Sequence, residues 1–276
     1  MARSSVDLKS YRVGRTARLG RIDPADRPLA GSSREADDSR LAELCAQIDT
    51  LQDLLHANGA AGGSRKLLIV LQGLDTSGKD GTARAVLSRC SPLGVRVEAF
   101  KAPNEAERAR DFLWRVHQVV PRAGEIVLFN RSHYEDVLVP VVEGWITPAE
   151  RARRLAHLVA FERLLADTGT AVLKCFLHIS KGEQKVRLQA RLDDPAKRWK
   201  FDPNDLKTRA KWKAYTAAYN TALSATSTTT APWYVIPADS KSNRNLMVAT
   251  LVRDTLRAMK LTAPKPDYDP ASIRIR

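Results

Sequence analysis

Gly73-Leu-Asp-Thr-Ser-Gly78-Lys79-Asp80-Gly81-Thr82 is the stretch that decides how this chain folds. The apolar run Leu67-Leu-Ile-Val-Leu71 before it reads as a buried parallel strand, and Ala83 to Cys90 after it reads as a helix. Strand, glycine-rich turn, lysine and helix in that order build a cradle for phosphate. The glycines let backbone N–H groups converge on an anion without a Cβ in the way. The helix N-terminus adds the positive end of its dipole. The spacing G-x-x-x-x-G-K is met, but Asp80 stands where a phosphate loop normally carries a Mg²⁺-binding Ser or Thr.

Outward from this loop the chain alternates between two periods. Strands are expected at Leu67–Leu71, Val95–Phe100, Ile126–Phe129, Val172–Ile179 and Trp233–Ile236, with helices at 80–90, 105–120, 148–167, 181–193, 204–224 and 243–260. Thr147-Pro-Ala-Glu150 and Ser180-Lys-Gly-Glu183 are capping boxes, and Pro148 suits a first helical position. Such alternation implies an α/β fold, a five-stranded parallel sheet covered by helices on both faces, with its ligand beyond the carboxyl ends of the strands. Residues 1–37 are polar and basic and read as an arm that is extended or weakly ordered by itself. Leu41, Leu44, Ile48, Leu51 and Leu55 place an amphipathic helix over 39–56, which Asn58–Ser64 ends. The expected division is 1–62 as arm and helix, 63–262 as core with a basic lid near 180–205, and 263–276 as tail.

A chain of 276 residues can bury a large core without staples. Its three cysteines, Cys45, Cys90 and Cys175, form no C-x-x-C pair and fit a reducing cytoplasm. The arginine-rich N-terminus has no apolar core of a secretory signal, and no window is apolar enough to span a bilayer. The net charge of +14 calls for a polyanionic partner: nucleic acid, an anionic surface or a phosphate polymer. Low aromatic content argues against base stacking, so no stable nucleic acid partner and no membrane are expected.

Four constellations carry chemistry. In the loop, Lys79 would touch reacting phosphates as a point charge. Asp75 would repel phosphate unless Mg²⁺ bridges the two, so it is the candidate metal residue; its other reading is an Asx turn that shapes the loop. Asp80 either replaces the missing hydroxyl or is a first-turn acid favoured by the dipole. Phe129-Asn-Arg-Ser-His-Tyr-Glu-Asp136 follows the third strand: Arg131 could clamp a phosphate, Glu135 and Asp136 offer carboxylates or cap the next segment, and His133 reads better as structural than as substrate-positioning. Lys181, Lys185, Arg187, Arg191, Lys197, Arg198 and Lys200 form either a basic lid or a solvated face. Lys101 and Asn104, at the exit of the second strand, are candidates for the acceptor nucleotide or a plain turn.

These residues resemble the polyphosphate kinase 2 family. The likeness is carried by Gly73–Thr82, by Asp111-Phe-Leu-Trp-Arg-Val-His117, by Phe129–Leu138 and by Ala231-Pro-Trp-Tyr-Val-Ile-Pro-Ala-Asp239. It covers most of the chain after about residue 40 and accounts for Asp80, since the family's loop reads Gly-Lys-Asp-Gly. It implies a P-loop kinase fold like that of thymidylate kinase with a helical lid. It also implies Mg²⁺-dependent transfer of the terminal phosphoryl group of inorganic polyphosphate to a nucleoside mono- or diphosphate, adenine or guanine, by a homodimer or homotetramer. The Ser-His-Tyr-Glu-Asp form of the second motif is similar to the subgroup that accepts both AMP and ADP. Asp239–Arg244 departs from an aromatic-rich segment of many relatives. The expected catalytic set is Asp75, Lys79, Arg131 and Asp136. Lys101, Asn104, Arg131 and Glu135 would hold the nucleotide. Gly73, Thr76, Ser77, Gly78, Lys79, Asp80, Gly81, Thr82, Lys181, Lys185, Arg187, Arg191 and Arg198 would hold polyphosphate. The competing expectation is a nucleoside monophosphate kinase with a nucleoside triphosphate donor.

Overall fold

The structure, a computed structural model, describes residues 7–275. In chain order its elements are α1 (Arg34–Ala60), β1 (Lys66–Gln72), α2 (Lys79–Leu87), β2 (Val95–Ala99), α3 (Glu105–Arg108), α4 (Trp114–His117), β3 (Ile126–Asn130), α5 (Glu135–Val142), α6 (Pro148–Asp167), β4 (Thr170–His178), α7 (Lys181–Asp193), α8 (Asn204–Ala210), α9 (Trp212–Thr226), β5 (Trp233–Pro237) and α10 (Lys241–Ala258). All strand pairings are parallel, in the order β2-β3-β1-β4-β5. The α/β fold with a five-stranded parallel sheet is thus as expected.

Side chains alternate along the strands and divide the interior in two. Leu68, Val70, Val127, Phe129, Phe176 and Val235 pack with α5, α6 and α9 on one face. Leu67, Ile69, Leu71, Leu128, Cys175 and Ile236 pack with α1, α2 and α10 on the other. The central strand β1 is buried on both faces, which is why it reads as an unbroken apolar run. The chain leaves β1 through α2 on one face and leaves β3 through α5 and α6 on the other. The crevice between the carboxyl ends of β1 and β3 is therefore the place where such a sheet receives its ligand.

Three helical expectations change. The helix expected over 105–120 is two single turns, because Asp111 takes the N–H groups of Leu113 and Trp114 for a turn of its own. The helix expected over 204–224 breaks at Lys211 into α8 and α9. Helix α5 was concealed by Pro140. Proline cannot donate to the Asp136 carbonyl one turn back, and Nη1 of Arg154 donates to that oxygen instead at 3.0 Å. The arm lies on the body: Leu8, Val13, Ala17, Leu19 and Leu29 are buried, and Arg12 makes an antiparallel bridge to Tyr234 at the β5 edge. Among the described residues no helix is long and apolar enough to cross a membrane.

Candidate active site

The loop after β1 turns through Gly73 at φ 153° and Gly78 at φ 100°. A Cβ on Gly73 would lie 2.7 Å from the Leu177 carbonyl oxygen, so the loop passes too close to β4 for any side chain there. Thr76 at φ 63° and Arg131 at φ 61° also hold left-handed backbone without being glycine. Such geometry costs on the order of 1–3 kcal/mol each and is kept where surrounding contacts over-determine it. Both strained residues line the same cavity, of about 580 Å³.

That cavity gathers eight cationic side chains: Lys79, Lys101, Arg131, Arg187, Arg191, Lys197, Lys200 and Lys241. Four acids, Asp75, Asp80, Asp202 and Asp205, share it. The surplus of positive charge faces the N-terminus of α2, whose first N–H groups have no intrahelical acceptor. Nζ of Lys79 donates to the Gly73 carbonyl at 2.7 Å and to that of Leu74 at 3.3 Å, which bends it over its own loop. Burial pulls its pKa down, and the neighbouring Asp75 carboxylate pulls it back up. Arg131 reaches in from the end of β3, and Asp80 accepts from Nδ2 of Asn130 at 2.5 Å. The first-turn acid thereby ties the two strand exits together.

The lid is formed by α7, the turn Arg198–Lys200 and α8. Nη1 of Arg191 donates to Asp205 at 3.2 Å and to the Lys200 carbonyl at 2.9 Å, which closes the lid on itself. Burial, together with the charge of Asp75, pushes Asp205 up to about 6. Lys197 and Lys200 point into the cavity, whereas Lys181, Lys185 and Arg198 do not line it. Arg198 spends its Nε on the Leu192 carbonyl at 2.8 Å. Arg187 lines the cavity, yet its donors go to carbonyls of Thr76, Ser77, Ala238 and Asp239 and to Glu183.

Other expected residues stand one layer back. Glu135 is held by Nε2 of Gln72 at 3.2 Å, and burial raises its pKa against the pull of Arg131 and Lys79. Asp136 pairs with Arg115 at 3.0 Å and lines a separate cavity, beside Phe112 and Arg154, rather than the central one. Asn104 caps α3, its side chain accepting from the Glu107 N–H at 2.9 Å. Thr82 turns inward to Asn245 at 3.3 Å. Gly73 and Ser77 shape the loop from behind, and the hydroxyls of Thr76 and Ser77 are buried without a partner among the described residues. Lys101 lines both the central cavity and a smaller one of about 310 Å³ with Arg115, so a trough runs from the loop toward β2. Gln72, Arg115, Gln184, Lys241 and Arg244 were not foreseen. Arg115, Lys241 and Arg244 lie in stretches already singled out, 111–117 and 239–244, but nothing in those stretches marks the individual side chain; Gln72 and Gln184 are lone polar residues recognisable only once the strands are aligned.

Among the described residues no cluster of three or more His, Cys, Asp or Glu side chains is arranged for a metal. A hard cation that keeps waters and takes one carboxylate plus substrate phosphates needs no such cluster, and Asp75 on the cavity wall suits that mode.

The family model for polyphosphate kinase 2 matches residues 31–264. The chain belongs to the polyphosphate kinase 2 family. It is 48% identical over 262 residues to the AMP/ADP-polyphosphate phosphotransferase of Meiothermus ruber, covering 94% of this chain and 97% of that one. It is 36% identical over 274 residues to the ADP-polyphosphate phosphotransferase of Rhodopseudomonas palustris, covering 94% and 93%. The crystal structure of polyphosphate kinase 2 from Arthrobacter aurescens TC1 superposes with a TM-score of 0.94 at 42% identity, covering 98% of this chain and 95% of that one. As a polyphosphate kinase 2 the protein is a phosphotransferase.

Proposed function

We propose that the protein transfers the terminal phosphoryl group of inorganic polyphosphate to AMP and ADP. The observation that carries this reading is the convergence of Lys79, Arg131 and the lid residues Lys197 and Lys200 on one cavity at the β1/β3 crevice. A polyanion is drawn there by the charge surplus, and the lid excludes water around the reacting groups. Lys79 and Arg131 neutralise the oxygens of the phosphoryl group in flight, and the α2 N–H groups hold it from below. Phosphoryl transfer depends on positioning and charge, so no strong base is required. Mg²⁺, held by Asp75 and phosphate oxygens, would supply charge neutralisation between donor and acceptor. The acceptor lies along the trough past Lys101 and Asn104 toward Arg115, which Asp136 holds from behind, while Glu135 supports the floor from one layer back.

The name of the Meiothermus ruber relative supports acceptance of both AMP and ADP, and that of the Rhodopseudomonas palustris relative supports ADP. Free Cys45, Cys90 and Cys175 support a cytoplasmic setting, and a homodimer or homotetramer is what the family resemblance implies. The test is polyphosphate with Mg²⁺ and AMP, ADP, GMP or GDP in parallel, with ATP as a control donor. Products from AMP and ADP with polyphosphate alone are expected; turnover only with ATP would overturn the reading.

A further inference from the structure

Three successive carbonyls of the phosphate loop are held from outside by side chains of other helices. Nε2 of Gln184 donates to the Asp75 oxygen at 3.1 Å, Nη1 of Arg187 to the Thr76 oxygen at 2.9 Å, and Nη1 of Arg244 to the Ser77 oxygen at 3.1 Å. The first two come from α7 and the third from α10. A peptide plane is rigid, and its N–H points opposite to its C=O. Pinning the Ser77 oxygen therefore turns the Gly78 N–H toward the other side of the loop, where the anion cradle opens.

Arg244 is the unusual member. It is 3% exposed, and among the described residues it has no carboxylate partner. Arg187, by contrast, carries Glu183 at 2.8 Å. The Arg244 guanidinium lies against the glycine of the cradle: a Cβ on Gly78 would come within 1.9 Å of its Nη1. A buried cation without a counter-charge is costly and is lost unless something repays it. Burial and the charge of Arg187 lower its pKa to about 9. An anion seated in the cradle would lie just across the loop from this charge.

We propose that Arg244 is a positioning residue for phosphoryl transfer, which holds the Ser77–Gly78 peptide in its anion-binding orientation and supplies a buried positive charge that the bound phosphate chain neutralises. Arg187 is the second arm of the same brace, reaching the Ser77 oxygen at 3.3 Å and linking the lid to the loop. The catalytic part of this inference rests on the proposed function; the binding part does not.

The test uses Arg244→Met and Arg244→Lys in the full chain. Tripolyphosphate is the probe for melting, and polyphosphate with ADP for kinetics. A residue that merely supports the fold would lower the melting temperature of the free protein and leave the ligand-induced rise intact. The brace predicts the reverse for Arg244→Met: melting of the free protein unchanged or raised, and the rise with tripolyphosphate at least halved. It also predicts kcat lowered at least about tenfold with KM for ADP within about threefold. A retained tripolyphosphate shift, or a smaller fall in kcat, overturns the proposal. Should Arg244→Met not fold, Arg244→Lys decides by the same kcat threshold, since it keeps the charge and loses the planar fork. Wild-type turnover in the same assay judges the activity reading separately, because melting with tripolyphosphate needs no catalysis.

Discussion

Nη2 of Arg131 donates to Oδ1 of Asp75 at 3.1 Å, joining the exit of β3 to the phosphate loop. Both side chains line the central cavity, so the pair sits where phosphate would sit. On the proposed function, a bound phosphoryl chain would compete for the arginine and free the acid. Arg131→Ala should therefore lower kcat by about 10³-fold, the scale of losing a transition-state cation in a closed site. Arg131→Lys should recover little, because a point charge cannot replace the bidentate fork. Steady-state rates with ADP and polyphosphate check this, with circular dichroism to confirm folding; an alanine variant within tenfold of wild type would sink the role.

Lys79 is bent over its own loop by the Gly73 and Leu74 carbonyls. Lys79→Ala should cost at least about 10³-fold in rate. Lys79→Arg should not restore it, since a guanidinium is too large for the space around a residue only 9% exposed. Single-turnover measurement at saturating nucleotide separates this loss from weaker binding.

Asp75→Asn keeps the shape and removes a hard oxygen charge. A carboxamide binds Mg²⁺ poorly. The expected result is a fall in rate of about 10²-fold, together with a higher Mg²⁺ concentration for half-maximal activity. Chelation should abolish wild-type activity and re-addition restore it. An unchanged Mg²⁺ titration in the variant would show that Asp75 only shapes the turn.

Residues differ in how openly they declare these roles. The phosphate loop was legible because its chemistry is local: glycines, lysine and helix start lie within ten residues of one another. β1 to β5 were legible from apolar runs bounded by turns, and α7 from its capping box. Helix α5 was hidden because proline marks a break by its missing donor, and the donor that replaces it, Arg154, lies 14 residues farther along the chain than Pro140. Arg187 was read as a lid cation because its charge is visible in sequence, whereas its destination, the backbone of Thr76 and Ser77, is set by tertiary packing. The stretch Asp239–Arg244 stood out only as a departure from relatives, and Arg244 itself gave no signal of its role, since one arginine near the start of a buried helix is indistinguishable from a solvated one until the loop is laid against it.

Behind the second motif lies a closed polar cluster. Glu162 accepts from Tyr134 at 2.7 Å and from Lys174 at 2.5 Å, and meets His133 at 3.2 Å, with all four side chains at most 1% exposed. Burial tends to raise the Glu162 pKa, but Lys174 and His133 outweigh it and keep the carboxyl below its ordinary range. Lys174→Met alone should destabilise the fold by about 3–5 kcal/mol, because it strands a buried charge. Lys174→Met with Glu162→Gln should regain part of that loss. Urea unfolding measures both, and equal destabilisation of single and double variants would contradict the pairing.

His178, at the end of β4, titrates against the fold. Burial lowers its pKa from the ordinary 6.5, and the nearby backbone of Leu19 and Ile22 and the charge of Asp239 only partly offset this. The unfolded chain therefore takes up this proton first. The histidine's contribution to stability is complete above about pH 6.5 and is lost as pH falls below it, toward the folded-state value. His178→Gln should flatten the slope of melting temperature against pH below about 6.5. A slope identical to wild type would assign the acid sensitivity elsewhere.

The arm that bridges Arg12 to Tyr234 also shields the outer rim of β5, a short ribbon containing Trp233, Tyr234, Val235 and Ile236. Trimming the first thirty residues would bare a sticky border with unpaired backbone groups, the kind that recruits foreign ribbons and clumps. Purification handles are better fused at the other end, beyond Leu261 and Thr262, which still touch the body, where residues 263–275 are exposed.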